Sequence, residues 1–295
     1  MRGLQTPVRA IRRQVFTEVA KLGFKANAET LVADMEAIPY EIVGEDSEVK
    51  YRESIYRARA VVRERLRLAM GLSLRPENKP VHLTAGVEAS NISEKYYEPP
   101  LMQVIPSGCE SCEENKYEVS NVCKGCLAHP CQEVCPRGAI SMVNGKSFID
   151  QDKCIKCGKC KSVCPYDAIA KKERPCKKAC GVNAITSDKL GRAYIDADKC
   201  VSCGMCMVSC PFGAISDKSQ IFQLARALSE GEEIVAEVAP AFVGQFGPDA
   251  TPSRVKAALL ELGFSDVVET ALGADIGAVA EAHHYANHVA TGELP

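Results

Sequence analysis

The sequence predicts an α+β chain in three parts, and three observations carry that reading. All sixteen cysteines fall between Cys109 and Cys210, with none outside. Apolar residues recur at helical spacing before that window, and a strand–helix–strand–helix rhythm follows it. Composition suits an ordinary folded chain of 295 residues, 46% hydrophobic and 25% charged. With 36 Lys+Arg against 38 Asp+Glu, the net charge of −2 is too balanced for a nucleic-acid binder that works by bulk charge. No apolar run reaches the roughly 18–20 residues of a bilayer span, so no membrane span is expected.

Residues 1–108 are expected to form a helical N-terminal region. Met1-Arg-Gly-Leu-Gln-Thr-Pro lacks the apolar core of a secretory signal, which points to a reducing, cytoplasmic setting. Arg2, Arg9, Arg12 and Arg13 give a faint transit-peptide look that an ordinary amphipathic helix explains. Thr6-Pro7 serve as cap and first helical residue, Val8, Ile11, Val15, Val19 and Leu22 keep register, and Gly23 is the stop of a helix over 7–22. Asn27 opens a second helix over about 28–37, and Ser47 a third over 48–70. The third carries Tyr51, Ile55, Ala58, Val62, Leu66 and Ala69 on one face, with Arg52, Arg57, Arg59, Arg63, Arg65 and Arg67 around the rest. It reads as a solvated amphipathic helix packed on the cysteine region, with partner binding by the arginines as the alternative. Residues 71–108 hold Pro76, Pro80, Pro99, Pro100 and Pro106 and read as connecting or irregular.

The cysteine window decides the chemistry. Cys200-Val-Ser-Cys203-Gly-Met-Cys206-Met-Val-Ser-Cys210-Pro211 is C-x2-C-x2-C-x3-C-P, and Cys154-Ile-Lys-Cys157-Gly-Lys-Cys160-Lys-Ser-Val-Cys164-Pro165 repeats it. Three thiolates at this spacing wrap one corner of a 4Fe-4S cubane, and the fourth ligates the neighbouring cluster. Zinc needs only four ligands, usually as two separated pairs, and disulfides do not suit a reducing setting. A looser third motif is Cys123-x2-Cys126-x4-Cys131-x3-Cys135-Pro136. Four tails share one pattern: Cys135-Pro-Arg-Gly-Ala-Ile, Cys164-Pro-Tyr-Asp-Ala-Ile, Cys180-Gly-Val-Asn-Ala-Ile and Cys210-Pro-Phe-Gly-Ala-Ile. Ile149-Asp-Gln-Asp-Lys-Cys154 likewise parallels Ile195-Asp-Ala-Asp-Lys-Cys200, so the window is an internal repeat.

Cys176 and Cys180 take third and fourth positions without a local first and second, and Cys109-Glu-Ser-Cys112 is a spare pair. The spacing therefore predicts nested bacterial-type two-cluster ferredoxin modules over 109–232, with an inner module (113–175) inserted between the second and third ligands of an outer one. Crossed pairing gives four sets: Cys123, Cys126, Cys131 with Cys164; Cys154, Cys157, Cys160 with Cys135; Cys109, Cys112, Cys176 with Cys210; Cys200, Cys203, Cys206 with Cys180. Four 4Fe-4S clusters then use every cysteine. In the competing arrangement each motif ligates its own cluster and Cys109, Cys112, Cys176 and Cys180 form the fourth site. Such clusters are one-electron centres, and four in a chain suggest a conduit. Lys124, Lys153, Lys156, Lys159, Lys161, Lys171, Lys172, Lys177, Lys178 and Lys199 would offset the clusters' negative charge; a dock for an acidic donor and a merely solvated face are both open.

Residues 233–295 read as an incomplete α/β unit, a βαβα fragment. Ile234–Ala239 is expected to be a buried strand, and Thr251-Pro252 to open a helix with Val255, Ala258, Leu259 and Leu262 inward, closed by Gly263. Asp266-Val-Val-Glu-Thr is a second strand and Ala274–Val289 a second helix. Such a fragment leaves a sheet edge and much apolar surface uncovered. His284 and His288, with Glu281 one turn before, could form a metal face but read as exposed helix histidines, since no third strong ligand joins them.

These residues resemble the iron–iron (FeFe) hydrogenases. The unit ending in Cys200–Pro211 is similar to that family's cluster domain. Glu237-Val-Ala-Pro-Ala-Phe-Val, Phe246-Gly247, Ala258-Leu-Leu-Glu-Leu-Gly-Phe-Ser-Asp-Val-Val-Glu-Thr and Ala274-Asp-Ile look like the start of its catalytic domain. The resemblance implies a ferredoxin-like domain feeding electrons to an α/β catalytic domain, with Cys200, Cys203, Cys206 and Cys180 holding the exit cluster. It also implies an anaerobic setting and a redox protein of ferredoxin or flavodoxin type as donor or acceptor. The family's active-site cluster is held by later motifs, the first beginning Thr-Ser-Cys-Cys-Pro, and no Cys follows Cys210 here. No catalytic residue is therefore assigned, and the chain alone is expected to be non-catalytic, working with a missing catalytic domain or a partner redox enzyme. The alternatives are a stand-alone polyferredoxin subunit and an enzyme with one labile cluster; a cysteine count that ligates every cluster fully disfavours the latter.

Overall fold

Residues 6–25, 27–45, 52–92 and 99–292 are described by the computed structural model. Helix α1 (Pro7–Lys25) starts where Thr6 Oγ1 accepts from Arg9 N at 3.3 Å, and it buries Ile11, Val15, Val19 and Leu22. It does not stop at Gly23. A Cβ there would lie 2.7 Å from both Ala225 Cβ and the Phe222 carbonyl, so this glycine admits a crossing helix instead of ending one. Helix α2 (Ala28–Ile42) is capped by Asn27, whose side chain accepts from Glu29 N at 3.0 Å. It runs one turn past the expected end and through Pro39, because Leu31, Met35 and Ile38 are all buried against its neighbours.

Helix α3 (Ile55–Ala69) begins later than expected. Its cap is Ser54, accepting from Tyr56 N at 3.2 Å, and residues 52–54 are not helical; Ser47 and Tyr51 lie outside the described residues. The expectation of a solvated arginine face is also overturned: Arg59, Arg65 and Arg67 are buried. They serve backbone carbonyls before and after the helix. Arg67 donates to the Ser73, Leu83 and Ala85 carbonyls at 2.9, 2.6 and 2.9 Å, and Arg59 to Val43 O at 2.9 Å. Backbone carbonyls without a helix or sheet partner need donors, and a guanidinium supplies five in a fixed fork. The described residues of 71–108 are largely irregular, with a short α4 (Val87–Ser90), one unforeseen strand, β1 (Met102–Val104), and a 3-10 turn at Pro106–Gly108.

The cysteine region is built from paired short strands and single-turn helices. β2 (Lys116–Val119) pairs antiparallel with β5 (Ile169–Lys172), and β3 (Ile140–Val143) with β4 (Lys146–Ile149) across an Asn144-Gly145 turn with both φ positive. β6 (Ile185–Ser187) pairs with β7 (Ala193–Ile195), and β8 (Ile215–Asp217) reaches back to β1, Ile215 opposite Val104. Between them lie α5 (Pro130–Glu133), α6 (Lys159–Ser162), α7 (Pro175–Lys178) and α8 (Met205–Ser209). In all four tails the Ala-Ile dipeptide is buried, and its Ile opens strand β3, β5, β6 or β8. Cysteines are themselves core residues: Cys131 and Cys160 pack with Tyr117, Ile140, Ile149 and Ile169, while Cys176, Cys206 and Cys210 pack with Met102, Ile185 and Ile215. Helix α9 (Ile221–Glu230) returns to α1, and Phe222 completes the core of α1, α2 and α3.

The last part has the expected order with less burial than expected. β9 (Val235–Val238) pairs parallel with β10 (Asp266–Glu269), and α10 (Pro252–Glu261) is capped by Thr251. The first strand is not buried: Val235 is 54% exposed and Ala236 is its one buried residue. Val255 and Leu259 are half-buried, but Ala258 and Leu262 face out. Helix α11 (Thr270–Thr291) starts four residues before Ala274, taking Thr270 from the strand, and buries no side chain. Among the described residues its sheet has two strands, contacted by α10 and α11 at β10, and much apolar surface stays exposed, including Leu272, Ile276 and Val279.

Candidate metal centre

None of the sixteen cysteines is in a disulfide. They ring four cavities of closely similar size. One is lined by Cys154, Cys157 and Cys160 together with Cys135. A second gathers Cys109, Cys112, Cys176 and Cys210. A third gathers Cys123, Cys126, Cys131 and Cys164, and the fourth Cys180, Cys200, Cys203 and Cys206. Each cavity thus takes three sulfurs from one stretch and the fourth from another, except that the second draws its first three from both sides of the segment 113–175. The remaining lining is mostly apolar, including the Ala and Ile of the tails.

The backbone repeats the same two devices at every cavity. The residue before the second cysteine of each C-x2-C pair is left-handed: Ser111 (φ 45°), Gly125 (57°), Lys156 (60°) and Ser202 (55°). Only at the second of these does glycine have a packing reason, since a Cβ on Gly125 would sit 2.0 Å from Gly145 O. The third residue after each fourth-position cysteine is left-handed too: Gly138, Asp167, Asn183 and Gly213, with φ of 56°, 46°, 53° and 60°. That turn aims the next amide at sulfur. Ala139, Ala168, Ala184 and Ala214 donate N–H to Cys135, Cys164, Cys180 and Cys210 Sγ at 3.3, 3.4, 3.3 and 3.4 Å. The Cys180 tail keeps this geometry although Gly181 replaces proline. Lys156 N and Ala193 N add bonds to Cys154 and Cys109 Sγ, both at 3.4 Å.

Electrostatics explain what such a cavity demands. Burial pushes the Cys176 thiol up to about 12, with the neighbouring Cys210 adding to it, and pushes Cys206 up to about 11. Burial raises Cys112 and Cys160 as well, whereas backbone donation from Ser147 holds Cys123 below its ordinary value. Several thiolates cannot share an apolar cavity without cations among them. The apolar lining, the amide donors to sulfur and the four-sulfur rims fit a 4Fe-4S cluster. Among the described residues no three His, Cys, Asp or Glu side chains converge on a single metal-ion position.

Sequence reasoning missed the arginines that hold the second cavity. Arg174, 4% exposed, donates through Nη2 to the Cys112 and Gly191 carbonyls at 2.9 and 2.7 Å, through Nη1 to Thr186 O at 3.2 Å, and pairs with Glu114 at 3.0 Å. Arg52 Nη2 donates to Gly108 O and Phe212 O at 2.9 and 2.5 Å, and Arg65 donates to Gly213 O. Arg52 and Arg65 had one sequence signal, an excess of arginine in and around the expected third helix; Arg174 had none. The histidine pair is not at a centre: the His284 and His288 rings lie 4.1 Å apart, and His288 Nδ1 faces the His284 carbonyl at 3.1 Å.

Two family models match stretches of the chain. Residues 232–295 match the family model of the iron-only hydrogenase large subunit, C-terminal domain. Residues 148–170 and 193–216 match the 4Fe-4S binding domain, and these stretches contain Cys154–Cys164 and Cys200–Cys210. The chain is similar to an uncharacterized ferredoxin of Methanocaldococcus jannaschii, 38% identical over 65 residues, 22% of this chain and 39% of that protein. It is similar to the electron transport protein HydN of Escherichia coli, 43% identical over 56 residues, 19% of this chain and 32% of HydN. A third relative belongs to an ion-translocating oxidoreductase complex of Methanosarcina acetivorans, 41% identical over 63 residues, 21% of this chain and 24% of that protein. The chain therefore spans less than half the length of each of these relatives.

Proposed function

We propose, for a hydrogenase-like chain with ferredoxin modules, that it transfers electrons through four 4Fe-4S clusters as the relay portion of an FeFe-hydrogenase-like protein. The observation that carries this is the fourfold repetition of one ligand geometry, left-handed turn and amide-to-sulfur bond included, around four cavities of like size. A bound 4Fe-4S cluster supplies a one-electron redox centre. The ligand sets we assign are Cys135, Cys154, Cys157, Cys160; Cys123, Cys126, Cys131, Cys164; Cys109, Cys112, Cys176, Cys210; and Cys180, Cys200, Cys203, Cys206, a grouping supported by the cavity that each set lines. The chain's own groups then do three things. Cysteine sulfurs would hold the irons, the tail amides would stabilise charge on sulfur, and the apolar lining would limit water at the centre.

The organisation follows from the same reading. Residues 1–108 form a helical region, 109–232 the nested iron–sulfur domain and 233–295 the opening of an α/β catalytic-type domain. Nesting is supported by strand pairing: β2 and β5 close the segment 113–175 on itself, while β1 and β8 close the outer unit around it. Partners are a ferredoxin- or flavodoxin-type carrier and a catalytic domain, in an anaerobic cytoplasm. A stand-alone polyferredoxin serving another enzyme is the second reading, favoured by the short ferredoxin-type relatives; a reading frame that continues into Thr-Ser-Cys-Cys-Pro would decide against it. Anaerobically purified protein should contain about sixteen irons and sixteen sulfides per chain, four of each per cluster, with low-temperature EPR signals of interacting centres. Stoichiometric zinc, or iron for only two clusters, would overturn the assignment.

A further inference from the structure

The two copies of the C-x2-C-x2-C-x3-C motif act as an internal control, since both sit on the same turn–helix frame. Asp150, Asp152 and Lys153 before the first copy correspond to Asp196, Asp198 and Lys199 before the second, with Lys153–Asp150 and Lys199–Asp196 pairs at 3.5 and 3.0 Å. The second cysteine is exposed in both, at Cys157 and Cys203. What differs is the rim. Lys156, Lys159 and Lys161 stand where the outer copy has Ser202, Met205 and Met207, and Arg137 stands where it has Val182. All four cations are exposed, and among the described residues none has a carboxylate within salt-bridge distance. Arg137 and Lys159 line the cavity itself, which has no carboxylate in its wall, and Ile155, 58% exposed, lies on its lip.

A role in merely neutralising bound thiolates does not explain the difference, because the outer cavity has the same four sulfurs and no cation in its lining. An exposed apolar residue ringed by uncompensated cations, beside a ring of four cysteines that reaches the surface at Cys157, has the chemistry that recognises an acidic protein. We propose that Arg137, Lys156, Lys159 and Lys161 form the docking port for a small acidic one-electron carrier protein, which exchanges electrons at the cavity of Cys135, Cys154, Cys157 and Cys160. This rests on the relay function proposed above. The carrier would be oxidised by one electron and a 4Fe-4S cluster held by these four cysteines reduced by one; no bond forms or breaks, and no proton is needed for balance.

The test replaces the inner rim by the outer one, Arg137→Val, Lys156→Ser, Lys159→Met and Lys161→Met together, in the full chain with its clusters. A control removes the same charge from α1, as Arg9→Gln, Arg13→Gln, Lys21→Gln and Lys25→Gln, all exposed. The probe is a reduced bacterial two-cluster ferredoxin, followed by stopped flow at low salt. The rim variant should be reduced about tenfold more slowly, with a flattened salt dependence, and the control at nearly the parental rate. Iron and sulfide content, and the end point reached with excess dithionite, should be the same in all three proteins. Should the rim variant not fold, the double variant Lys156→Gln, Lys161→Gln, which leaves the cavity lining intact, should slow reduction about threefold. Equal slowing of rim and α1 variants, or none in the rim variant, would overturn the port. A parental protein without iron and sulfide would overturn the relay function beneath it instead.

Discussion

The guanidinium of Arg174 donates to the carbonyl of Cys112, through Nη2 at 2.9 Å and Nε at 3.1 Å, although 62 residues separate them in sequence. The bond ties the end of the segment 113–175 to its beginning, two residues before Cys176 enters the cavity that Cys112 also lines. Truncating this side chain leaves the Cys112, Thr186 and Gly191 carbonyls without their donor and Glu114 without one of its cations. Arg174→Ala should cost about 3 kcal/mol in urea unfolding and lower iron by about a quarter, with Arg174→Lys intermediate. Unchanged iron and midpoint would remove Arg174 from the account of this site.

Crossed ligation predicts which mutants look alike. Cys210→Ser should alter the same EPR component as Cys109→Ser, and Cys180→Ser the same one as Cys203→Ser. If Cys210→Ser instead matched Cys203→Ser, each motif would be holding its own centre.

Asn183 sits at φ 53° immediately before the amide that donates to Cys180. Asn183→Gly should be tolerated. Asn183→Val should cost about 1–2 kcal/mol, because a β-branched residue is forced into left-handed backbone, and should broaden the EPR component assigned to Cys180. Equal melting temperatures for the two variants would show that the turn is not rigid.

Gly23 sets two magnitudes against each other. Alanine in a helix interior gains about 1 kcal/mol over glycine, but its Cβ would lie 2.7 Å from the Phe222 carbonyl. Overpacking costs about 1–3 kcal/mol, so Gly23→Ala should be net destabilising, and Gly23→Leu more so. Differential scanning calorimetry of both variants checks the order.

Removing iron should not unfold the chain uniformly. The core of α1, α2, α3 and Phe222 contains no cysteine, whereas the cores around β1–β8 include all five buried ones. After chelation, most far-UV helical signal should persist, while hydrogen-exchange protection is lost across 102–217. Loss of α1 protection at the same chelator concentration would show a single cooperative unit.

How far the sequence could be read is clear from particular residues. The C-x2-C-x2-C-x3-C spacing and the four Ala-Ile tails are local patterns, so the cysteine grouping could be written down from them, and α1, α10 and β10 announce themselves through caps and periodicity. Arg174, Arg52 and Arg65 could not be read in this way. Their partners are mostly backbone carbonyls, which leave no mark in a sequence, and carboxylates distant along the chain. Gly23 misled for a related reason: a glycine at a helix stop and a glycine under a crossing helix are the same letter.

Residue order alone determined how many thiols exist, how they are spaced and which turns they can adopt, because a ligand loop is a short-range object governed by backbone sterics. The tertiary structure decided which distant stretches share a cavity, that the α3 arginines are structural donors, and that one of two matching rims is cationic and open. Those are long-range outcomes, fixed when buried carbonyls and sulfurs must all find partners at once.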